Sequence, residues 1–156
     1  MIIYKNYVIV KGAGEDNASN INAFDAALMK AKISEVNLVG VSSILPENCI
    51  ELDAPPKLKI GEVVFCVLAR LDGKKGEKIS AGIACVHGER NGKKYGLVME
   101  AHNNVDKEDL EQDLKERIKS MLKLRDFKVY STKIVVESIP EVKDNFGSAI
   151  VALVYR

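Results

Sequence analysis

Two hydrophobic periods alternate along the chain, and the switches between them lay out its elements. A strand-like run of β-branched and aromatic residues fills Ile3–Val10 ("IYKNYVIV"). It is followed by "KGAGEDNASN" (Lys11–Asn20), whose Gly, Asn and Asp content predicts a loop. In "NAFDAALMKAKI" the period changes to that of a helix, with Phe24, Ala27, Leu28 and Ala31 on one stripe. Asn22 is expected to cap this helix, with Asp25 three residues on. "VNLVGVSS" (Val36–Ser43) carries apolar residues on both faces, as expected of a strand covered on both sides. A turn-rich crossing from Pro46 to Gly61 follows, where Pro55 and Pro56 argue against a central strand.

The second half reads more regularly. Three strands are predicted at Glu62–Leu71, Lys78–Gly88 and Lys93–Asn103, the last two joined at Asn91-Gly92 by a type I′ turn that needs positive φ at both central positions. A long helix follows, with Asp106 expected to cap and Asp109 at the third position. Leu110, Leu114, Ile118, Met121 and Leu122 form its apolar stripe. Glu111–Lys115 and Asp113–Arg117 are spaced as i,i+4 ion pairs on its solvated face. Strands at Phe127–Ile139 and Gly147–Arg156 close the chain. The order β-α-β-β-β-β-α-β-β predicts an α+β fold, a layered sandwich of mostly antiparallel sheet with covering helices (αββα-like), in a single domain spanning residues 1–156.

Charge narrows the partners. With 23 basic and 22 acidic side chains there is no electrostatic footprint for nucleic acid or an anionic membrane, which favours a small molecule or a protein. No stretch reaches the ~20 apolar residues of a membrane helix. The opening "MIIYKNYVIVKG" is interrupted by Lys5 and Asn6 and lacks the features of a secretion signal, so a cytoplasmic setting is expected. Cys49, Cys66 and Cys85 are widely spaced and outside any C-x-x-C pattern, which predicts buried free thiols. His87 and His102 lack metal-ligand spacing, so no metal is expected. Gly12 and Gly14 lack the third glycine and the prompt helix of a dinucleotide loop.

What remains is "GVSSILP", with Ser42 and Ser43 at the end of an apolar strand. An unpaired hydroxyl buried there would cost ~1–3 kcal/mol, so the pair needs specific partners or a task. No Ser-His-Asp arrangement lies nearby to activate either hydroxyl. Taken with "NAFDAAL" and "GLVMEA", in the same order and spacing, "VNLVGVSSILP" resembles the pyruvoyl-dependent arginine decarboxylases, and the resemblance extends over almost the whole chain.

That resemblance implies self-processing. The Ser43 hydroxyl would attack the Ser42 carbonyl carbon, and β-elimination from the resulting ester would split the chain into residues 1–42 and 43–156. Residue 43 would become a covalent pyruvoyl group, the cofactor. The resemblance further implies Glu100 as proton donor, Asn37 in processing and catalysis, and Asp25 as the carboxylate that binds the guanidinium of L-arginine. It implies agmatine and CO2 as products, in polyamine biosynthesis, and a homotrimer or dimer of trimers.

The residues alone leave room for plainer roles. Gly96, Val98, Glu100 and His102 share one strand face, and enclosure of that face would favour the protonated carboxyl a donor needs; otherwise Glu100 is an exposed strand glutamate. Asn37, flanked by Val36 and Leu38, is expected to find buried partners, or to tie down a loop. Asp25 serves either the guanidinium or the helix cap. Asn37 and Ser42 stand ~16 Å apart along an extended strand, so a site using both would draw them from neighbouring copies. Two other functions stay open: the same chemistry on another amino acid, and a non-catalytic oligomeric module that does not mature.

Overall fold

In the computed structural model, residues 2–53 and 57–156 are described. They form β1 (Asn6–Asp16), α1 (Asn20–Lys30), β2 (Asn37–Gly40), β3 (Ile44–Leu45), β4 (Ile50–Glu51), β5 (Val63–Lys74), β6 (Ile79–Arg90), β7 (Lys93–Asn103), α2 (Lys107–Arg125), β8 (Lys128–Ile139) and β9 (Phe146–Tyr155). One sheet has the order β2-β5-β9-β1-β4 and the other β3-β7-β6-β8. Only the β1–β4 and β2–β5 pairs are parallel. The αββα layering expected from the element order is therefore observed.

Three apolar clusters hold the layers. Leu45, Val67, Ile83, Val98 and Leu153 fill the space between the sheets. Val8, Ala27, Ile33, Val64 and Ile150 join α1 to the outer face of the first sheet, and Ala84, Leu97, Leu110, Leu114 and Val136 join α2 to the outer face of the second. Burying side chains of this size stabilises by about 1.5–3 kcal/mol each. Among the described residues no helix is long and apolar enough to cross a membrane.

Several expectations need correction. The segment predicted as a loop, Lys11–Asn20, continues β1 as far as Asp16. Its glycines are there for packing: a Cβ on Gly12 would stand 2.1 Å from the Ala27 carbonyl oxygen, and one on Gly14 2.5 Å from the Ala27 nitrogen. The strand stops where Asp16 Oδ1 accepts the Ala18 and Ser19 N–H groups, at 2.6 and 3.0 Å. The cap of α1 is Ser19, not Asn22; Ser19 Oγ accepts the Asn22 N–H at 3.1 Å, which leaves Asp25 outside the cap on an exposed turn.

The predicted strand Val36–Ser43 is not covered on both sides. It shrinks to β2, an edge strand whose only sheet neighbour is β5, and it ends before the serines. Within the Pro46–Gly61 crossing the chain forms the two-residue β4; Pro55 and Pro56 lie outside the described residues.

Other local readings hold. Asn91 and Gly92 adopt φ of 52° and 73°, as the turn requires. All three cysteines are free and buried. Asp106 occupies the cap position of α2, but its carboxylate meets Lys78 Nζ at 2.6 Å instead of capping. The Asp113–Arg117 pair forms at 2.9 Å, whereas Glu111 meets Lys107 at 3.9 Å rather than Lys115.

Candidate active site

The serine pair lies where the chain changes sheets. β2 belongs to the first sheet and β3 to the second, and Val41, Ser42 and Ser43 bridge them. Ser42 is exposed and Ser43 half-buried, so the buried-strand setting expected for them is not observed and no unpaired hydroxyl is stranded in the core. The Val41 N–H makes the last rung to the first sheet, donating to the Cys66 carbonyl at 2.9 Å. The Ile44 N–H donates back to the Ser42 carbonyl at 3.2 Å, closing a three-residue turn around Ser43. The Val98 N–H on β7 donates to the Ser43 carbonyl at 2.9 Å. Both carbonyls around the Ser42–Ser43 linkage are thus held by backbone donors.

A cavity of about 330 Å³ opens beside the crossing, lined by Tyr4, Val41, Ser42, Ile44, Phe65 and Tyr155 among others. The Tyr155 hydroxyl donates to the Ile44 carbonyl at 3.0 Å. Burial, with smaller contributions from the Cys49 and Cys85 thiols, pushes the Tyr155 phenol up to about 12, so it keeps the proton it donates.

Glu100 belongs to the same neighbourhood. It pairs with Ile83, whose side chain faces the space between the sheets, and so it shares the face of Val98, two residues or about 7 Å further along β7. The sequence-predicted alternation is correct, but the carboxylate is exposed in the single chain. The single chain therefore matches the plainer expectation of an exposed strand glutamate, and does not itself enclose that end of the face.

The remaining candidates are not gathered by one chain. Asn37 stands at the far end of β2, exposed, its Nδ2 donating to the Gly61 carbonyl at 3.0 Å; the buried partners expected of it are absent because β2 is an edge strand. It ties down the turn before β5. Asp25 lies on α1, which packs on the outer face of the first sheet, opposite the face that carries Phe65 and Tyr155. One chain therefore brings together Ser42, Ser43 and the strand bearing Glu100, and leaves Asn37 and Asp25 apart from them.

Sequence reasoning missed Ile44, Val98 and Tyr155. The first two act through backbone N–H groups, which leave no trace in residue identity. Tyr155 looks in the sequence like the last apolar position of a buried strand.

The crossing fits a group made in place from residue 43. A cut between Ser42 and Ser43 severs no ladder, because β2 stays paired with β5 and the new chain start stays held by Ile44–Leu97 and Leu45–Gly96. The family model for pyruvoyl-dependent arginine decarboxylase matches residues 6–156. This chain belongs to the pyruvoyl-dependent arginine decarboxylase family. Proteins of that name from Methanothermobacter thermautotrophicus and Methanopyrus kandleri are 35% and 32% identical to it, each over 99% of both chains. The one from Pyrococcus furiosus is 33% identical over 94% of this chain and 92% of its own. A solved structure of pyruvoyl-dependent histidine decarboxylase at pH 8 matches the fold with a TM-score of 0.50 and 15% identity, covering 64% of this chain. The chain spans about half of that structure, 52% of its length.

Proposed function

We propose that the chain cleaves itself between Ser42 and Ser43 and then decarboxylates L-arginine to agmatine and CO2, a step of polyamine biosynthesis. The observation that carries this reading is the position of the serine pair on the bridge between the sheets, where a cut costs no strand pairing and both flanking carbonyls are already held. The pieces would be residues 1–42 and 43–156, with the pyruvoyl group derived from Ser43. Such a group supplies a carbonyl that condenses with the substrate amine and draws off the electron pair left when CO2 departs.

The chain's own residues do the rest. Tyr155 and Val98 fix the backbone on which residue 43 is carried. Tyr4 and Phe65 give the cavity an apolar wall; exclusion of water from it would need a covering copy. Glu100 returns a proton to the carbon that lost CO2, for which its carboxyl has to be protonated and shielded. Asp25 receives the substrate guanidinium in a two-pronged, charge-assisted contact. Asn37 supports processing from a neighbouring copy.

A homotrimer, or a dimer of trimers, would complete such a site. Asn37 and Asp25 lie apart from Ser43 in one chain, and the crossing edge exposes apolar Val39, Ile44 and Val63, which a second copy would cover. Covering that edge would also shield Glu100. The three buried free thiols fit a reducing, cytoplasmic setting.

The test is release of labelled CO2 from a panel of carboxyl-labelled amino acids. Arginine should dominate; preferential release from lysine, ornithine or histidine would move the assignment to another substrate, and release from none would remove it.

A further inference from the structure

The two backbone hydrogen bonds at the serine pair fall on the two oxygens that take up charge in successive steps of self-cleavage. Attack of Ser43 Oγ on the Ser42 carbonyl carbon turns the Ser42 oxygen into an oxyanion, and that oxygen accepts the Ile44 N–H at 3.2 Å. The C–N bond then breaks, and the proton that left Oγ ends on the freed Ser43 nitrogen. The product is an ester joining Ser42 to Ser43.

In the second step the Cα proton of residue 43 passes to water. The electron pair it leaves is shared with the Ser43 carbonyl before the Cβ–Oγ bond breaks and the Ser42 carboxylate departs. That carbonyl oxygen accepts the Val98 N–H at 2.9 Å. The β7 amide comes from a strand whose partners are fixed over its whole length by β6, so the donor is placed before charge develops and need not reorganise. Among the described residues the donor to each oxygen is a backbone N–H.

Resting on the self-cleavage reading, we infer that the Ile44 N–H stabilises the acyl-transfer oxyanion and the Val98 N–H the enolate of the elimination. Each amide therefore governs a different step, and removing one stalls processing at a different species.

Backbone N–H groups can be deleted one at a time by replacing a residue with its α-hydroxy acid, which puts an ester where the amide was. The ester at position 98 should fold and accumulate the Ser42–Ser43 ester, seen as a hydroxylamine-released fragment of residues 1–42 ending in a hydroxamate. The fragment beginning at residue 43 should form about a hundredfold more slowly. The ester at position 44 should instead leave the chain intact, with no hydroxylamine-sensitive linkage at Ser42. The ester at position 96, whose residue pairs with Leu45 in the same ladder, controls for a weakened sheet and should mature like the parent chain. Maturation of the position-98 variant at the position-96 rate, without ester build-up, overturns the inference while leaving self-cleavage standing. A parent chain that never cleaves removes both.

If the position-98 variant fails to fold, a ¹³C carbonyl label at residue 43 of the uncleaved parent gives a second readout. Its infrared stretch should lie at a hydrogen-bonded frequency, and a free-amide frequency overturns the inference equally.

Discussion

Tyr7 and Tyr155 stand opposite each other on β1 and β9, and both point into the space between the sheets, yet they serve different ends of it. Tyr155 spends its proton on a backbone carbonyl, that of Ile44, one residue past the serine pair. Tyr7 is enclosed by side chains: its oxygen lies 2.8 Å from His87 Nε2 and accepts the Cys85 thiol at 3.5 Å. Burial, then the Cys85 hydrogen bond, pushes the Tyr7 phenol far up, and burial pushes the Cys85 thiol to about 11. The His87 ring also stacks on Tyr7, with 5.9 Å between centroids. The Tyr7 end is a polar knot satisfied by side chains, its groups held in their neutral forms, and only its half-buried His87 reaches a smaller cavity of about 170 Å³. The Tyr155 end opens into a cavity and meets a strand start. On the proposed reading, the difference teaches that reactive chemistry sits where the strands are shortest and least paired, while the well-packed Tyr7 end carries stability. Changes at the crossing should therefore alter processing or turnover with little effect on folding, and changes in the knot should do the reverse.

The largest effect should come from Ser43→Ala, which removes the attacking hydroxyl. No fragment beginning at residue 43 should appear, while the melting temperature stays within about 3 °C, as expected when stability shifts by under about 1 kcal/mol. Glu100→Gln should cleave normally but release CO2 from arginine about 10²–10⁴-fold more slowly, the usual range for loss of a general acid. Asp25→Asn should also cleave normally and raise KM for arginine about 10- to 100-fold, from loss of a charge-assisted pair worth about 1.5–3 kcal/mol. Tyr7→Phe should mature like the parent and lose about 0.5–1.5 kcal/mol in urea unfolding, because the half-buried His87 nitrogen and the buried Cys85 thiol lose their shared hydrogen-bond partner.

The smallest effect concerns pH. Burial lowers the His87 pKa from 6.5, partly opposed by Glu51. The folded chain therefore binds fewer protons at this ring than the unfolded one does. Stability from the neutral ring is fully present above 6.5 and is lost as pH falls through the lowered folded value. Melting temperature should decline from pH 7 to 5, and His87→Gln should flatten that decline. An equal decline in both chains would show that other groups set the acid response.

The sequence carried the layering because periods of 2 and 3.6 mark which faces are buried, as in β7, where Leu97 and Ala101 face α2 while Val98 faces the other sheet. It failed at the Gly12–Gly14 stretch, where glycines that usually signal a turn make room for a helix. It failed again at Val36–Ser43, because apolar residues on both faces look the same whether covered by the chain itself or left at an exposed edge. Family blocks marked Ser42, Ser43, Glu100, Asn37 and Asp25, and strand spacing alone set Asn37 apart from Ser42, yet no pattern in the residues could show that α1 carries Asp25 to the outer face of the first sheet. Nor could it show the Ile44 and Val98 donors, since any residue except proline offers the same N–H.

The most direct measurement is intact-mass analysis of fresh and incubated protein beside the Ser43→Ala chain. The parent should give two pieces, residues 1–42 ending in an ordinary carboxylate and residues 43–156 with no free amine at the start, and only the cut material should decarboxylate arginine. Full turnover by a preparation that remains a single unbroken chain, or by Ser43→Ala itself, would contradict the account.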